Sequence, residues 1–149
     1  MPGSPSGEVS DVLAQLSRDV NDSIGEFRVD VEQSDGLPAS VAVTGELDIA
    51  TADQLETALR QLSASAASTK GAVVDLGNCS FVDSSGLRAI LVGARLFAEA
   101  GADGAAARPR LVLAAPGPSV LRVLEISGVD QGVPIFATSA EAVEAVAAD

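Results

Sequence analysis

Four consecutive residues, Asp83-Ser84-Ser85-Gly86, place a carboxylate and two hydroxyls directly before an apolar run with helical spacing. They follow a short run rich in β-branched residues, which is typical of a buried strand. This order predicts that Ser84 lies in the first turn of a helix, beside unpaired backbone N–H groups and the positive end of the helix dipole. A phosphate is favoured at such a position, so Ser84 is our candidate phosphorylation site.

The same residues also have a simpler interpretation. Ser84 or Ser85 could be an ordinary N-cap, because serine is strongly preferred there and contributes about 1 kcal/mol. A phosphate, in contrast, would add roughly −1.5 to −2 charges, enough to disrupt an interface complementary to a neutral serine beside Asp83. The local sequence is compatible with both a phosphorylation switch and a plain helix cap.

A second polar motif, Gly45-Glu46-Leu47-Asp48, follows an earlier predicted strand. Because strand ends gather at one edge of a parallel sheet, we expect its carboxylates to lie on the same rim as Asp83. Three carboxylates there could hold Mg²⁺ or act as an acid/base pair, although acidic residues near helix starts usually cap the helix or interact with its dipole. The chain has no histidine and no Gly-x-Ser-x-Gly turn, so a nucleophilic serine would lack its usual base.

Composition narrows the classes of protein that remain. The chain has 149 residues, 47% hydrophobic and 20% charged, which predicts one globular domain. Its net charge of −12 argues against nucleic acid and anionic membranes, since both attract clustered Lys and Arg. No apolar run approaches the roughly 20 residues of a membrane-spanning helix and no signal sequence opens the chain, so we expect a cytoplasmic protein. The single cysteine, Cys79, is predicted to be a buried thiol.

Hydrophobic periodicity predicts an α/β fold with the element order β-β-α-β-α-β-α-β-α. Alternating apolar residues predict two leading strands, around Val29 and Val41, that form an antiparallel pair. The later strands are apolar enough to be covered on both faces, which favours a mostly parallel sheet of four or five strands with that pair at its edge. The other predicted elements are a helix capped by Thr51, a strand over 72–76, a helix over 87–100, a strand over 111–114, a helix over 118–126, a strand over 133–136 and a terminal helix from Ser139.

Two further predictions concern helices. The helix over 87–100 is apolar nearly all round, and its deepest stripe is predicted to consist of Leu87, Ile90, Leu91, Ala94 and Phe97. Apolar residues between Val9 and Ile24 also recur at helical spacing, after a disordered tail rich in Pro, Gly and Ser. We therefore divide the chain into an N-terminal extension, residues 1–25, and one domain, residues 26–149.

The two motifs together resemble those of the anti-sigma factor antagonists of bacterial partner-switching pathways, which are members of the STAS domain family. Gly45-Glu46-Leu47-Asp48 follows an early strand, and Asp83-Ser84-Ser85-Gly86-Leu87 follows the third strand, about 35 residues later. Either motif alone would be weak, but both stand at matching places in the predicted order of elements. The resemblance covers roughly residues 26–149.

The resemblance implies a STAS domain that works as a binding protein, without enzymatic activity, metal or cofactor. Its unphosphorylated form would capture an anti-sigma factor, itself a serine protein kinase, and so free a sigma factor. Phosphorylation by that kinase would end the complex, and a serine phosphatase would restore it. Ser84 matches the phosphoacceptor, and the partner-binding positions would be Asp48, Asp83, Ser84, Ser85, Gly86 and Leu87.

An alternative is a STAS module of a transporter or signalling assembly, in which the same fold binds nucleotide or a neighbouring subunit and Ser84 is only a cap. A metal-dependent enzyme that uses the carboxylates is a third possibility, and it would lose activity in Asp48→Asn and Asp83→Asn. The extension 1–25 and the divergent loop 101–110 lie outside the motifs that carry the resemblance.

Overall fold

The computed structural model describes residues 27–34, 36–65, 70–100 and 110–147. Within these ranges the elements follow the predicted order. The strands are β1 (Arg28–Glu32), β2 (Ala39–Leu47), β3 (Ala72–Val82), β4 (Leu111–Ala114) and β5 (Ile135–Phe136). The helices are α1 (Ala52–Ser63), α2 (Ser84–Ala100), α3 (Pro118–Ser127) and α4 (Ser139–Ala147), with a 3₁₀ turn at Val129–Gln131. The predicted helix between Val9 and Ile24 lies outside the described residues, so the division at residue 25 stays a prediction.

The strands form one mixed sheet in the order β1-β2-β3-β4-β5. β1 pairs with β2 antiparallel, and β2, β3, β4 and β5 pair in parallel. The predicted α/β fold with an antiparallel edge pair is therefore confirmed. Parallel strands joined by helices are covered on both faces, and accordingly every residue of β4 is buried.

Two layers of helices cover the sheet. The larger core joins one face to α1, α2 and α3 through residues such as Leu59, Phe97 and Leu124. The smaller core joins Val73 and Val112 on the other face to α4. No helix in the described ranges has the length and apolar character needed to cross a lipid bilayer.

The structure corrects three details of the predicted elements. β3 continues to Val82, six residues beyond its predicted end, because its parallel pairing with β2 persists through two register shifts. β5 is limited to two residues. Leu91, predicted in the deepest stripe of its helix, is 47% exposed. The buried side of α2 consists instead of Gly86, Ala89, Ile90, Gly93 and Phe97, because its two glycines allow the helix to pack closely against the sheet and α1.

Candidate functional site

The two sequence motifs meet where β2 and β3 end side by side. Leu47, near the end of the first motif, pairs with Val82, the last residue of β3. The backbone N–H of Asp83 then donates a hydrogen bond of 3.1 Å to the carbonyl of Leu47. The residues that follow each strand, Asp48 and Asp83, therefore leave the sheet from neighbouring positions on one rim.

Asp83 is the N-cap of α2. Its Oδ1 accepts hydrogen bonds from the backbone N–H groups of Ser85, at 2.9 Å, and Gly86, at 3.1 Å. Its carbonyl accepts the first helical bond, from the N–H of Leu87, at 2.9 Å. The interpretation of Ser84 or Ser85 as the cap is therefore wrong. Ser84 is the first helical residue, and its exposed hydroxyl makes no hydrogen bond to any described residue.

Asp83→Ala is expected to destabilise the domain by about 1 kcal/mol, because two N–H groups in the first turn of α2 lose their acceptor. Asp83→Asn is the matched control, since its amide oxygen can accept the same bonds without the charge. Urea denaturation of both variants measures the difference. Equal free energies of unfolding for Asp83→Ala and Asp83→Asn would contradict the capping role.

The first motif forms a tight turn before α1. Gly45 has φ of 99°, a conformation that favours glycine, and a register shift with β3 follows it directly. Asp48 Oδ1 accepts a hydrogen bond from the N–H of Ala50 at 3.0 Å. Thr51 occupies the N-cap position of α1 as predicted, but its hydroxyl does not cap that helix. It donates instead to the carbonyl of Glu46, at 2.7 Å, and accepts from the N–H of Asp48, at 2.9 Å.

Gly86 allows the start of α2 to pack closely against the end of β2. It is buried, and a Cβ added to it would lie 2.7 Å from the carbonyl oxygen and 2.8 Å from Cγ of Leu47. That carbonyl is the one that accepts from the N–H of Asp83. The glycine in the second motif therefore allows the close contact that holds the two motifs together.

The carboxylates of the rim do not form a metal site. No three His, Cys, Asp or Glu side chains within the described ranges are grouped so that they could hold a metal ion. Asp48 instead accepts a hydrogen bond from the backbone N–H of Ala50 in its own turn, and Asp83 accepts from N–H groups in the first turn of α2. Both acidic side chains therefore order the backbone beside them, and neighbouring side chains on the rim stay accessible.

Sequence reasoning missed three exposed side chains around this rim. Ile49, in the turn before α1, is 81% exposed, and Phe81, paired with Glu46 near the end of β3, is 48% exposed. Arg88 is exposed on α2, four residues after Ser84. Helical spacing from Ser84 could have identified Arg88, whereas the exposure of Phe81 depends on the register shifts of β3 and carries no simple sequence signal.

Cys79 lies beneath this rim and is buried, as predicted. Burial raises the pKa of its thiol, while hydrogen bonds to the backbone of Phe81 and Leu47 oppose that shift. The thiolate, which is the reactive form, is therefore disfavoured. Cys79 is part of the larger hydrophobic core.

Comparisons with known proteins give one consistent family. The STAS domain model matches residues 28–142. An anti-sigma factor antagonist from Mycobacterium paratuberculosis is 30% identical, with a TM-score of 0.61 over 80% of this chain and 93% of that one. The Bacillus cell fate determinant SpoIIAA in its phosphorylated form is 26% identical, with a TM-score of 0.57 over 78% of this chain and 97% of that one.

SpoIIAA in its unphosphorylated form, an anti-sigma factor antagonist, is 23% identical and supports the fold, with a TM-score of 0.59 over 78% of this chain and 94% of that one. No curated protein sequence matches the chain significantly. The family model nevertheless spans the sheet from β1 and reaches into α4, and the rim with both motifs lies inside the matched residues. This chain belongs to the STAS domain family.

Proposed function

We propose that this protein is an anti-sigma factor antagonist of a partner-switching pathway and acts in the cytoplasm. In its unphosphorylated form it binds an anti-sigma factor, which is a serine protein kinase, and so frees a sigma factor. That kinase phosphorylates Ser84 and ends the complex, and a serine phosphatase restores it. The protein is thus the substrate of the kinase and the phosphatase.

The observation that carries this proposal is the free hydroxyl of Ser84. Asp83 caps the helix, so Ser84 is exposed and has no structural task among the described residues. A kinase can reach this hydroxyl without unfolding the helix. Ser85, one residue later, is half-buried, which makes it the poorer acceptor.

The cap also determines how a phosphate acts. The N–H groups of Ser85 and Gly86 already bind the carboxylate of Asp83, so they are not free to neutralise a phosphate. A phosphate on Ser84 would therefore add its negative charge beside an existing carboxylate, on the accessible surface of the rim. A partner that fits a neutral serine there would face a new negative charge beside the carboxylate of Asp83.

The surroundings of Ser84 supply contact area for a protein partner. Ile49 and Phe81 are exposed at the ends of β2 and β3, and Leu87 is half-buried on the first turn of α2. Large apolar side chains with a polar surround are typical of the centres of protein interfaces. We therefore assign the docking surface to Asp48, Ile49, Phe81 and the accessible residues of the first turn of α2, Ser84, Ser85 and Leu87; Gly86 is buried and supports this surface from below.

The experiment is incubation of the protein with ATP and each candidate anti-sigma kinase of its organism, followed by intact-mass spectrometry and fragment mapping. One phosphate on Ser84 is expected, no phosphate in Ser84→Ala, and near-normal phosphorylation of Ser85→Ala. Equal phosphate uptake by wild type and Ser84→Ala would assign the site elsewhere. No phosphate with any kinase would favour a STAS module that binds nucleotide or a neighbouring subunit.

A further inference from the structure

We propose that Arg88 pairs with the phosphate of phosphorylated Ser84, so that modification adds negative charge and also engages a cation next to the docking surface. This inference rests on the proposed phosphorylation of Ser84. Arg88 is then a positioning residue that holds the phosphate within the chain.

Ser84 and Arg88 are four residues apart in α2, and both are exposed. Residues at this spacing lie on one face of a helix, with a rise of about 6 Å between them. A negative group that precedes a positive one by four residues has the more favourable orientation, since it agrees with the helix dipole. A phosphoserine at position 84 therefore has a guanidinium within reach one turn later.

The same arrangement already exists in α1 of this protein. Glu56 Oε2 accepts hydrogen bonds from Arg60 at Nε, 3.1 Å, and Nη2, 2.9 Å, across the same spacing and in the same order. A phosphoserine extends from Cβ through as many bonds as a glutamate and carries more charge. The backbone of a helix in this fold thus allows the contact that we propose for α2.

Arg88 is available for this role. It makes no hydrogen bond or ion pair with any described residue. The other charged groups on the rim, Glu46, Asp48 and Asp83, are acidic and would repel a phosphate. Because the backbone N–H groups of Ser85 and Gly86 are already bound to Asp83, Arg88 is the cation placed to offset the phosphate in the described part of α2.

The pairing would change the charged groups that α2 presents to a partner. Before modification, the exposed face of α2 presents a neutral hydroxyl, the Arg88 guanidinium and then Leu91. After modification, the guanidinium is held by the phosphate and is no longer free for an acidic group of the partner. One covalent change thus alters two neighbouring contacts on the same face.

The test uses protein with phosphoserine inserted at position 84 during translation, so that no kinase is required. Phosphorus NMR follows the phosphate from monoanion to dianion as the pH is raised, in the wild-type background, Arg88→Gln and Arg95→Gln. Arg95 is exposed on the same helix but lies about 16 Å beyond Ser84 along the helix axis. Its replacement therefore removes the same charge without removing a possible partner of the phosphate. The acidic residues of the rim are identical in the wild-type background and in every variant.

We expect the pKa of the phosphate to be higher in Arg88→Gln than in wild type, by a change of about twofold in the ionisation equilibrium. Arg95→Gln should titrate like wild type, and Arg88→Lys should fall between wild type and Arg88→Gln. Equal titration of wild type and Arg88→Gln, or the same shift in Arg95→Gln, would overturn the inference. Failure to find a kinase would count against the proposed function but would leave this titration unchanged.

Discussion

Ser84→Glu is expected to weaken binding to the anti-sigma factor by at least about thirtyfold, which corresponds to about 2 kcal/mol. The change places a carboxylate beside Asp83, where the N–H groups of Ser85 and Gly86 are already occupied. A charge that is buried against a partner without a matching group loses its hydration and gains little in return. Isothermal titration calorimetry with the purified anti-sigma factor measures the effect.

Ser84→Gln separates charge from size in this experiment, because glutamine has nearly the shape of glutamate and carries no charge. It should bind much more tightly than Ser84→Glu, and Ser84→Ala should bind persistently even with ATP present. Ser84 is exposed and does not cap its helix, so all three variants should fold with nearly unchanged stability. Similar weakening by glutamine and glutamate would show that the contact is steric and would contradict the charge-based switch.

The sheet could be predicted from the sequence because its patterns have one interpretation each. Alternation in β1 and β2 indicates a pair with one face towards the core, and the apolar start of β3 and the apolar run of β4 indicate strands covered on both sides. The start of α3 at Pro118 and its end at Gly128, which has φ of 85°, also follow from local chemistry.

The rotation of α2 about its axis could not be predicted in the same way. A helix that is apolar nearly all round offers several stripes of similar hydrophobicity, so periodicity does not decide which one faces the core. In the structure, close packing decides: Gly86 and Gly93 face inwards, and Leu91 is left exposed. Small residues that allow close contact outweigh a large side chain whose burial would hold the helix further away.

In the candidate site, the sequence predicted that the two motifs meet but not which residue caps α2. The meeting of the two motifs on one rim follows from the parallel order of β2 and β3. The choice of Asp83 over the serines as N-cap could not be decided from the sequence, because Asp and Ser are both good caps and only the end of β3 determines which residue comes first. This choice matters for function, since it leaves Ser84 free.

Gly86→Ala is expected to lower the free energy of unfolding by about 1–2 kcal/mol and the melting temperature by about 5 °C or more. The added methyl group would lie 2.7 Å from the carbonyl oxygen of Leu47, which is backbone in the sheet and accepts from the N–H of Asp83. The higher helix propensity of alanine, worth up to about 1 kcal/mol, offsets only part of this clash. Thermal unfolding followed by circular dichroism measures the change.

Gly93→Ala is the control on the same helix, where alanine in the helix interior gains at least as much helix propensity as at Gly86. Its added methyl would meet mainly Cδ1 of Leu59, the end of a flexible side chain, so the clash can be relieved without moving the backbone. We therefore expect Gly86→Ala to be the less stable variant and to bind the partner more weakly, because α2 and Ser84 must shift away from β2. Equal stability of the two variants would mean that the backbone of the rim can adjust to the added methyl group. That result would contradict the role of Gly86 in positioning Ser84.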